Sequence, residues 1–440
     1  MTAVGVGARR RTGATSTSRS TATRRRKQTE TSRFAEWRTA AWASPTTSYY
    51  LIGGAGLLLL LLGLVMVLSA SMVDSLNKSG GATPFTDFLD QLTFAAIGVP
   101  LALVASRFKP EWFRKLAWLI LAGALGMQAL LFIPSLAVRV GGNTNWVSLP
   151  GIGTFQPSEF AKLGLAIWLG AVLATKGDLL RQWRHALVPG VLVAGAFLGL
   201  VLYGHDLGTA LILMALVAGA LWVAGVPASL FVLLSSFAAA AAGFLVFSSR
   251  NRRERIMQFL GLGQDSHAVD SFQPDRALEA LGSGGLSGVG LGASRIKWRG
   301  LPAAQDDYIF AIIGEELGLL GTLLVILLFV ALAIGITRVV KRHPDRFVKI
   351  TAAALGAWIV GQAFVNIGVV IGVLPVIGVP LPLLSAGGSS LITTLAALGI
   401  LLAFARSEPG AREAFAARRG SVRRSLAVLA PQLRRSRARG

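Results

Sequence analysis

The chain has 440 residues, 53% of them hydrophobic, and a formal net charge of +22; its mean hydropathy is +0.62. It contains no cysteine, which excludes disulfides and thiolate metal sites, and its four histidines (His185, His205, His267 and His343) form no HxxxH-type pair, which argues against a histidine metal centre. Much of the excess charge lies in two tails, and no aromatic or Gly-patterned RNA-binding module accompanies it, so nucleic acid is not an expected partner.

Residues 1–48 hold ten Arg and Lys against Glu30 and Glu36 and are rich in Ser, Thr and Ala, which reads as a disordered basic tail lying against anionic lipid. The first apolar run starts near Tyr49 and is long enough to span a bilayer, so no cleavable signal peptide is expected. Runs of that length recur near 49–70, 88–106, 113–133, 157–174, 186–203, 207–224, 228–248, 308–336, 347–372 and 386–405. Strand-length alternation does not repeat, which argues against a barrel. The expected fold class is therefore an all-α polytopic membrane protein with ten transmembrane helices. The loops from Arg107 to Lys115, Lys176 to His185 and Arg338 to Arg346 are basic, and all three fall inside if the N-terminal tail does. So does the tail 406–440, since residues 405–440 hold ten Arg against Glu408 and Glu413; both termini are expected in the cytoplasm. The loops 71–87, 134–156, 249–307 and 373–385 then face outward. The domain organisation expected is a tail (1–48), a membrane domain (49–405) with its large extracellular loop (249–307) between spans seven and eight, and a second tail (406–440).

Polar groups gather at the outer mouths of the spans. FQPSEFAKL (Phe155 to Leu163) opens span four with Pro157 in a first turn, and Glu159 and Lys162, three apart, share a helix face. Their pairing fits a local ion pair as well as a substrate contact. GHDLGTA opens span six, where Asp206 reads as a helix cap and His205 as a structural group or a titrating one. The loop 249–307 holds eight Arg and Lys and a Gly-rich run from Leu281 to Ser294. This reads either as a solvated loop or as a cover whose cations and amides meet phosphate; GxxxxGK[ST] is absent. Asp306 and Asp307 stand at the mouth of span eight, where a carboxylate caps the helix or acts as a general base with a raised pKa. Glu315 is about 80° round the helix from Asp307, and Glu316 is on the opposite side, so one can face a cavity while the other packs against a neighbour. Gly372 to Leu391 is a Pro/Gly-broken re-entrant loop ending at Gly387, Gly388, Ser389 and Ser390, whose amides can receive a phosphate or hydroxyl. Together these groups fit a lipid-linked anionic substrate handled on the outer face, and equally a transporter with a midplane site.

In order along residues 50–406, the segments SAS (Ser69 to Ser71), FQPSEFAK, DLGTA, RxxRI (Arg252 to Ile256), SGG (Ser283 to Gly285), GLGAS with Lys297, LPxxxxDYIFAIIGEELG and NIGVVIG…LPLLSAGGSS resemble the SEDS (FtsW/RodA) family of bacterial cell-wall polymerases. The resemblance implies a ten-span inverting glycosyltransferase that polymerises lipid II on the outer face and releases undecaprenyl pyrophosphate. It puts the family's essential acid on Asp307, taking a proton from the acceptor hydroxyl. It leaves the pyrophosphate to Arg252, Arg255 and Lys297, or to a divalent cation (Mg or Mn). Glu159, Lys162 and Glu316 line or brace the cavity. LGLVMVLSAS and the long basic tails are more similar to the division branch, of the actinobacterial type, than to the elongation branch. That branch implies a class B penicillin-binding protein transpeptidase and other divisome proteins as partners at the septum; a lipid II flippase or transporter, or an elongation-type polymerase, is the alternative. Four places depart from the family pattern: Asn251 before RxxRI, Gly204-His205 before DLGTA, Thr144-Asn145 before Trp146, and Ala386 before GGSS.

Overall fold

The structure is a computed structural model, which describes residues 44–78, 80–140, 143–151, 153–247, 269–298 and 305–417, with Trp42, Arg253 and Met257. Arg252, Arg255 and most of both tails lie outside the described residues. The helices are α1 (Thr47–Lys78), α2 (Thr86–Ala105), α3 (Pro110–Ala129), α4 (Pro157–Lys176), α5 (Leu192–Tyr203), α6 (Leu207–Ala224), α7 (Ala228–Phe247), α8 (Val269–Ser283), α9 (Ile309–Arg342), α10 (Arg346–Val370) and α11 (Gly388–Arg406). Nine helical segments among the described residues are long and apolar enough to cross a membrane, and α7 stands where the seventh predicted span should be.

Local chemistry explains the helix ends. Pro110 and Pro157 occupy first-turn positions, where proline has no amide to lose. Asp206 and Asp345 cap α6 and α10 by accepting from Thr209 N and Phe347 N, each at 2.9 Å. Gly225 closes α6 in the left-handed region.

The bundle is built from long helix pairs: α2 with α11, α6 with α10, α1 with α9, and α3 with α4. Of the span windows, α11 is 78% buried and α3 only 22%, so α11 is interior and α3 faces outward. Small residues let the pairs close. At Gly399 any Cβ would run into the Ala102 backbone, so α11 lies directly on α2. At one end of the bundle, Arg338 Nη2 donates to Trp42 O (2.7 Å) and Arg406 Nη1 to Ser106 O (3.2 Å). There Arg342 also meets Glu408 at 3.5 Å and Arg346 meets Asp178 at 3.4 Å. The basic loops and the roots of both tails therefore share one end, as their charge predicted.

One element was not expected. The loop 134–156 contains a three-stranded antiparallel sheet in the order β1 (Ala137–Val140), β2 (Asn143–Leu149), β3 (Gly153–Phe155). Its strands are three to seven residues long, too short to show alternation in a chain dominated by apolar helices. Thr144 N donates to Gly204 O at 3.1 Å, which fixes the sheet beside the mouth of α6.

Candidate active site

At the end opposite the tail roots, α9 starts at Ile309 with Tyr308 as its N-cap, one residue later than expected, and Tyr308 makes no side-chain cap bond. Asp306 and Asp307 occupy the turn before it, both half-buried. Asp307 lines a recess with Tyr308, Asn366, Val369, Val376, Gly378 and Val379. Two elements make this recess, the end of α10 and the broken loop 371–387. The broken loop is irregular backbone among helices, so its carbonyls and amides need partners. Asn366 Nδ2 donates to Val379 O (2.8 Å) and to Asp307 O (2.7 Å). Gln362 Nε2 donates to Pro380 O (2.8 Å), Gln91 Nε2 to Ser385 O (3.1 Å), and Ala386 N to Gln305 O (2.9 Å). Leu381 N donates to the Ser385 hydroxyl at 2.8 Å. The re-entrant loop is thus held on several sides, and its Gly378 passes close to the Asp307 carboxylate.

Beneath it, Glu159 and Lys162 form a buried pair at 2.7 Å. The Lys162 ammonium also donates to Gln362 Oε1 (2.9 Å) and sits 4.9 Å from the Trp358 ring centroid. Thr393 Oγ1 of α11 reaches Glu159 Oε2 at 3.4 Å. Trp358, Gln362 and Asn366 are spaced by four residues, so α10 presents one polar rail that joins the ion pair to the broken loop and to Asp307. Gln362 was not singled out from the sequence, and Asn366 entered only as the first residue of the family segment NIGVVIG, with no role given. The available signal was two amide side chains inside an apolar span.

Asp206 receives Thr209 N and Thr209 Oγ1, Asn145 Nδ2 at 2.9 Å and Gln156 Nε2 at 2.8 Å. Gln156 N in turn donates to Ser389 Oγ at 3.2 Å. Asp206 is thus a cap that also ties the sheet and the start of α4 to the start of α11. Ser389 is buried and Ser390 half-buried in that first turn of α11.

Two expectations change here. Glu315 and Glu316 both turn away from the recess. Glu316 accepts from Ser69 Oγ (2.6 Å), and Lys297 Nζ meets it at 3.2 Å; Glu315 accepts from Arg295 N (2.9 Å) and from the Ser294 hydroxyl. Lys297 is itself buried, donating also to Gly292 O at 2.8 Å, so its ammonium braces a loop rather than presenting a cation to a ligand. The helix α9 breaks at Gly318 (φ +67), which frees the nearby backbone groups. Val289 N and Gly290 N donate to the Glu315 and Glu316 carbonyls, while Leu319 N and Leu320 N donate to Gly285 O and Leu286 O. These amides of the Gly-rich run stitch the break in α9 and are not offered to phosphate. A simple helical wheel carried past Gly318 misses this, because the loop supplies the missing hydrogen bonds.

The sequence model of the family described as cell cycle protein, FtsW/RodA/SpoVE, matches residues 50–409. The chain belongs to this family. It is 38% identical over 399 residues to the probable peptidoglycan glycosyltransferase FtsW of Mycobacterium tuberculosis, covering 90% of this chain and 75% of that protein. It is 36% identical over 353 residues to the stage V sporulation protein E of Bacillus subtilis, covering 80% and 94%. Among solved structures, it resembles a chain of a peptidoglycan synthase complex that coordinates polymerization and crosslinking (TM-score 0.62, 27% identity, 78% of this chain and 97% of that one). It also resembles the rod shape determining protein RodA of Thermus thermophilus (TM-score 0.57, 26% identity, 82% and 97%). The FtsW/RodA/SpoVE match spans α1 from Tyr50 onward and all of α2 to α11, and so every described residue of the recess.

Proposed function

We propose that the chain is a membrane-bound peptidoglycan glycosyltransferase that extends glycan strands from lipid II, with Asp307 as its general base. The supporting observation is the seat of Asp307: a half-buried carboxylate whose own carbonyl is clamped by Asn366, in a recess walled by a Pro/Gly-broken loop. In the reaction, the Asp307 carboxylate accepts the proton of the acceptor sugar hydroxyl. That oxygen bonds to the anomeric carbon of the donor, with inversion, and the bond from that carbon to the pyrophosphate oxygen breaks. General-base help of this kind contributes about 10²- to 10⁴-fold. Among the described residues no group of three or more His, Asp or Glu gathers to hold a metal. Arg252 and Arg255 are the cations assigned to the leaving pyrophosphate by the family resemblance. The same family relationship supports a class B penicillin-binding protein as partner, and the FtsW relatives support a role in division at the septum.

The test is lipid II polymerisation by the purified protein with its cognate penicillin-binding protein. Wild type and Asp306→Ala are expected to make glycan strands, and folded Asp307→Ala and Asp307→Asn to fall by about 100-fold or more. Equal product from Asp307→Ala would overturn the assignment.

A further inference from the structure

We infer that Asn366 is a second substrate-binding group of the Asp307 recess, its side-chain oxygen accepting a hydrogen bond from a hydroxyl or amide N–H of the bound sugar; this rests on the polymerase reading above. Asn366 is 2% exposed and lines the recess. Its amide orientation is settled by chemistry. The two groups within reach on one side, Asp307 O and Val379 O, are both carbonyls that can only accept, so the NH₂ must face them. That leaves Oδ1 turned away from both, and it has no hydrogen-bond partner among the described residues. Buried side-chain acceptors are rarely left without a donor, because desolvating one is costly. Here the same carboxamide that fixes the backbone of the proposed general base keeps an unused, buried acceptor in a residue that lines that base's recess. Sugars carry such donors in their hydroxyl and amide groups. The nearby acids and carbonyls only accept unless protonated, and the hydroxyl of Tyr308, a residue that also lines the recess, is not bonded to Oδ1.

This arrangement divides the two ends of Asn366 between two tasks. The NH₂ holds Asp307 to the broken loop, and the oxygen holds the substrate. Two substitutions separate them. Asn366→Leu, similar in size, removes both. Asn366→Asp keeps an oxygen for the sugar and loses the donors to the two carbonyls. Affinity for lipid II is measured by direct binding in an Asp307→Asn background, where turnover plays no part. Steady-state polymerisation is measured in the wild-type background. Asn366→Leu is expected to weaken lipid II binding by about 5- to 30-fold, the loss of one buried hydrogen bond with its donor left unpaired. Asn366→Asp is expected to bind within about 3-fold of its parent. It is also expected to shift the acid limb of the pH–rate profile upward, because a new carboxylate in the recess disfavours ionisation of Asp307. A purely structural role would weaken binding in both variants alike, whereas the limb shift follows from the new carboxylate in either case. Unchanged binding in Asn366→Leu, or equal loss of binding in both variants, overturns the inference. Should Asp307→Asn itself polymerise, the general-base reading fails while the binding comparison still decides the role of Asn366. Circular dichroism and thermal unfolding confirm that each variant is folded; if Asn366→Leu is not, Asn366→Ser replaces it with the same expectation.

Discussion

At the scale of single residues, the recess depends on how closely backbone comes to the Asp307 carboxylate. Gly378 has φ +72, and a Cβ there would lie 3.6 Å from Asp307 Oδ2. Any side chain at 378 meets two penalties at once. The left-handed backbone disfavours it by about 1–2 kcal/mol, and atoms beyond Cβ occupy the space over the carboxylate where a sugar hydroxyl must arrive. Gly378→Val is therefore expected to lose at least about 10-fold in kcat/KM, roughly 1.4 kcal/mol. Gly378→Ala, which adds only the first atom, should lose less. Steady-state assays on folded protein check the order, and a Val variant as active as Ala would show that nothing large passes over Asp307 at this point. The residues that surround the carboxylate were unevenly legible. Asp307 stood out because an acid at a span mouth is costly to desolvate. Asn366, four helical turns or more from any motif of charge, did not, since a lone amide in an apolar run has no partner visible until the broken loop folds against it. The departures at Thr144-Asn145 and Gly204-His205 looked unrelated in sequence. In space they touch: Thr144 N bonds Gly204 O at 3.1 Å, and Asn145 bonds Asp206 at 2.9 Å, so the two departures form one local repacking.

At the scale of elements, α9 is two helices joined at Gly318, and the Gly-rich run completes both. A Cβ on Gly318 would collide with the backbone of Leu286 and Gly288, and its φ is positive besides. The same junction carries the buried Lys297–Glu316 pair at 3.2 Å, whose side chains are almost wholly removed from solvent. Breaking a buried pair from one side leaves an uncompensated charge and typically costs about 3–5 kcal/mol, whereas replacing both partners with apolar groups is often much cheaper. Glu316→Leu alone and Lys297→Met alone are thus expected to lower the thermal unfolding midpoint more than the double variant does. Additive losses in the double variant would mean that Lys297 and Glu316 are not coupled. Charge and periodicity gave span positions to within a few residues for nearly every helix. They did not reveal that Glu316 and Lys297 would find each other, because that pairing exists only once the helix breaks and lets the loop lie across it. The sheet β1–β3 escaped for a related reason. Its strands are short, and its register is held by contacts to the mouth of α6 rather than by its own alternation.

At the scale of the whole molecule, the proposed catalytic recess and the roots of the tails occupy opposite ends of the bundle. Asp307, the broken loop and the sheet lie at one end; the roots of both tails meet at the other. There the Tyr49 and Phe415 rings pack at 5.2 Å, His343 Nε2 lies 3.1 Å from Ser407 Oγ, and Arg342 reaches the buried Glu408. The first helix, the end of α9 and the end of α11 are thereby locked together just where the basic tails leave. Two titrating groups in this lock respond to pH in opposite senses. Burial pushes Glu408 above its ordinary carboxyl range, against the attraction of Arg342 and Arg338. Its unfolded form releases a proton before the folded form does, so its contribution weakens as pH rises through 4.5. Burial pushes His343 below its ordinary 6.5, outweighing the upward pull of the Asp345 carboxylate. As pH falls through 6.5 the unfolded chain takes up a proton that the folded lock refuses, so stability is lost on acidification down to the folded pKa. One proton limits the slope to about 1.4 kcal/mol per pH unit. In detergent, between pH 7.5 and about 5.5, a window set around that titration, the unfolding midpoint of wild type should drop further than that of His343→Asn, which keeps an acceptor near the Asp345 amide. The Asp307 site is far along the bundle, so the difference between the two proteins should appear in stability and in proteolysis of the tails while the polymerisation pH profile stays the same. Parallel midpoint curves for the two proteins would remove His343 from the lock, and a changed polymerisation profile would mean that the two ends of the bundle are coupled.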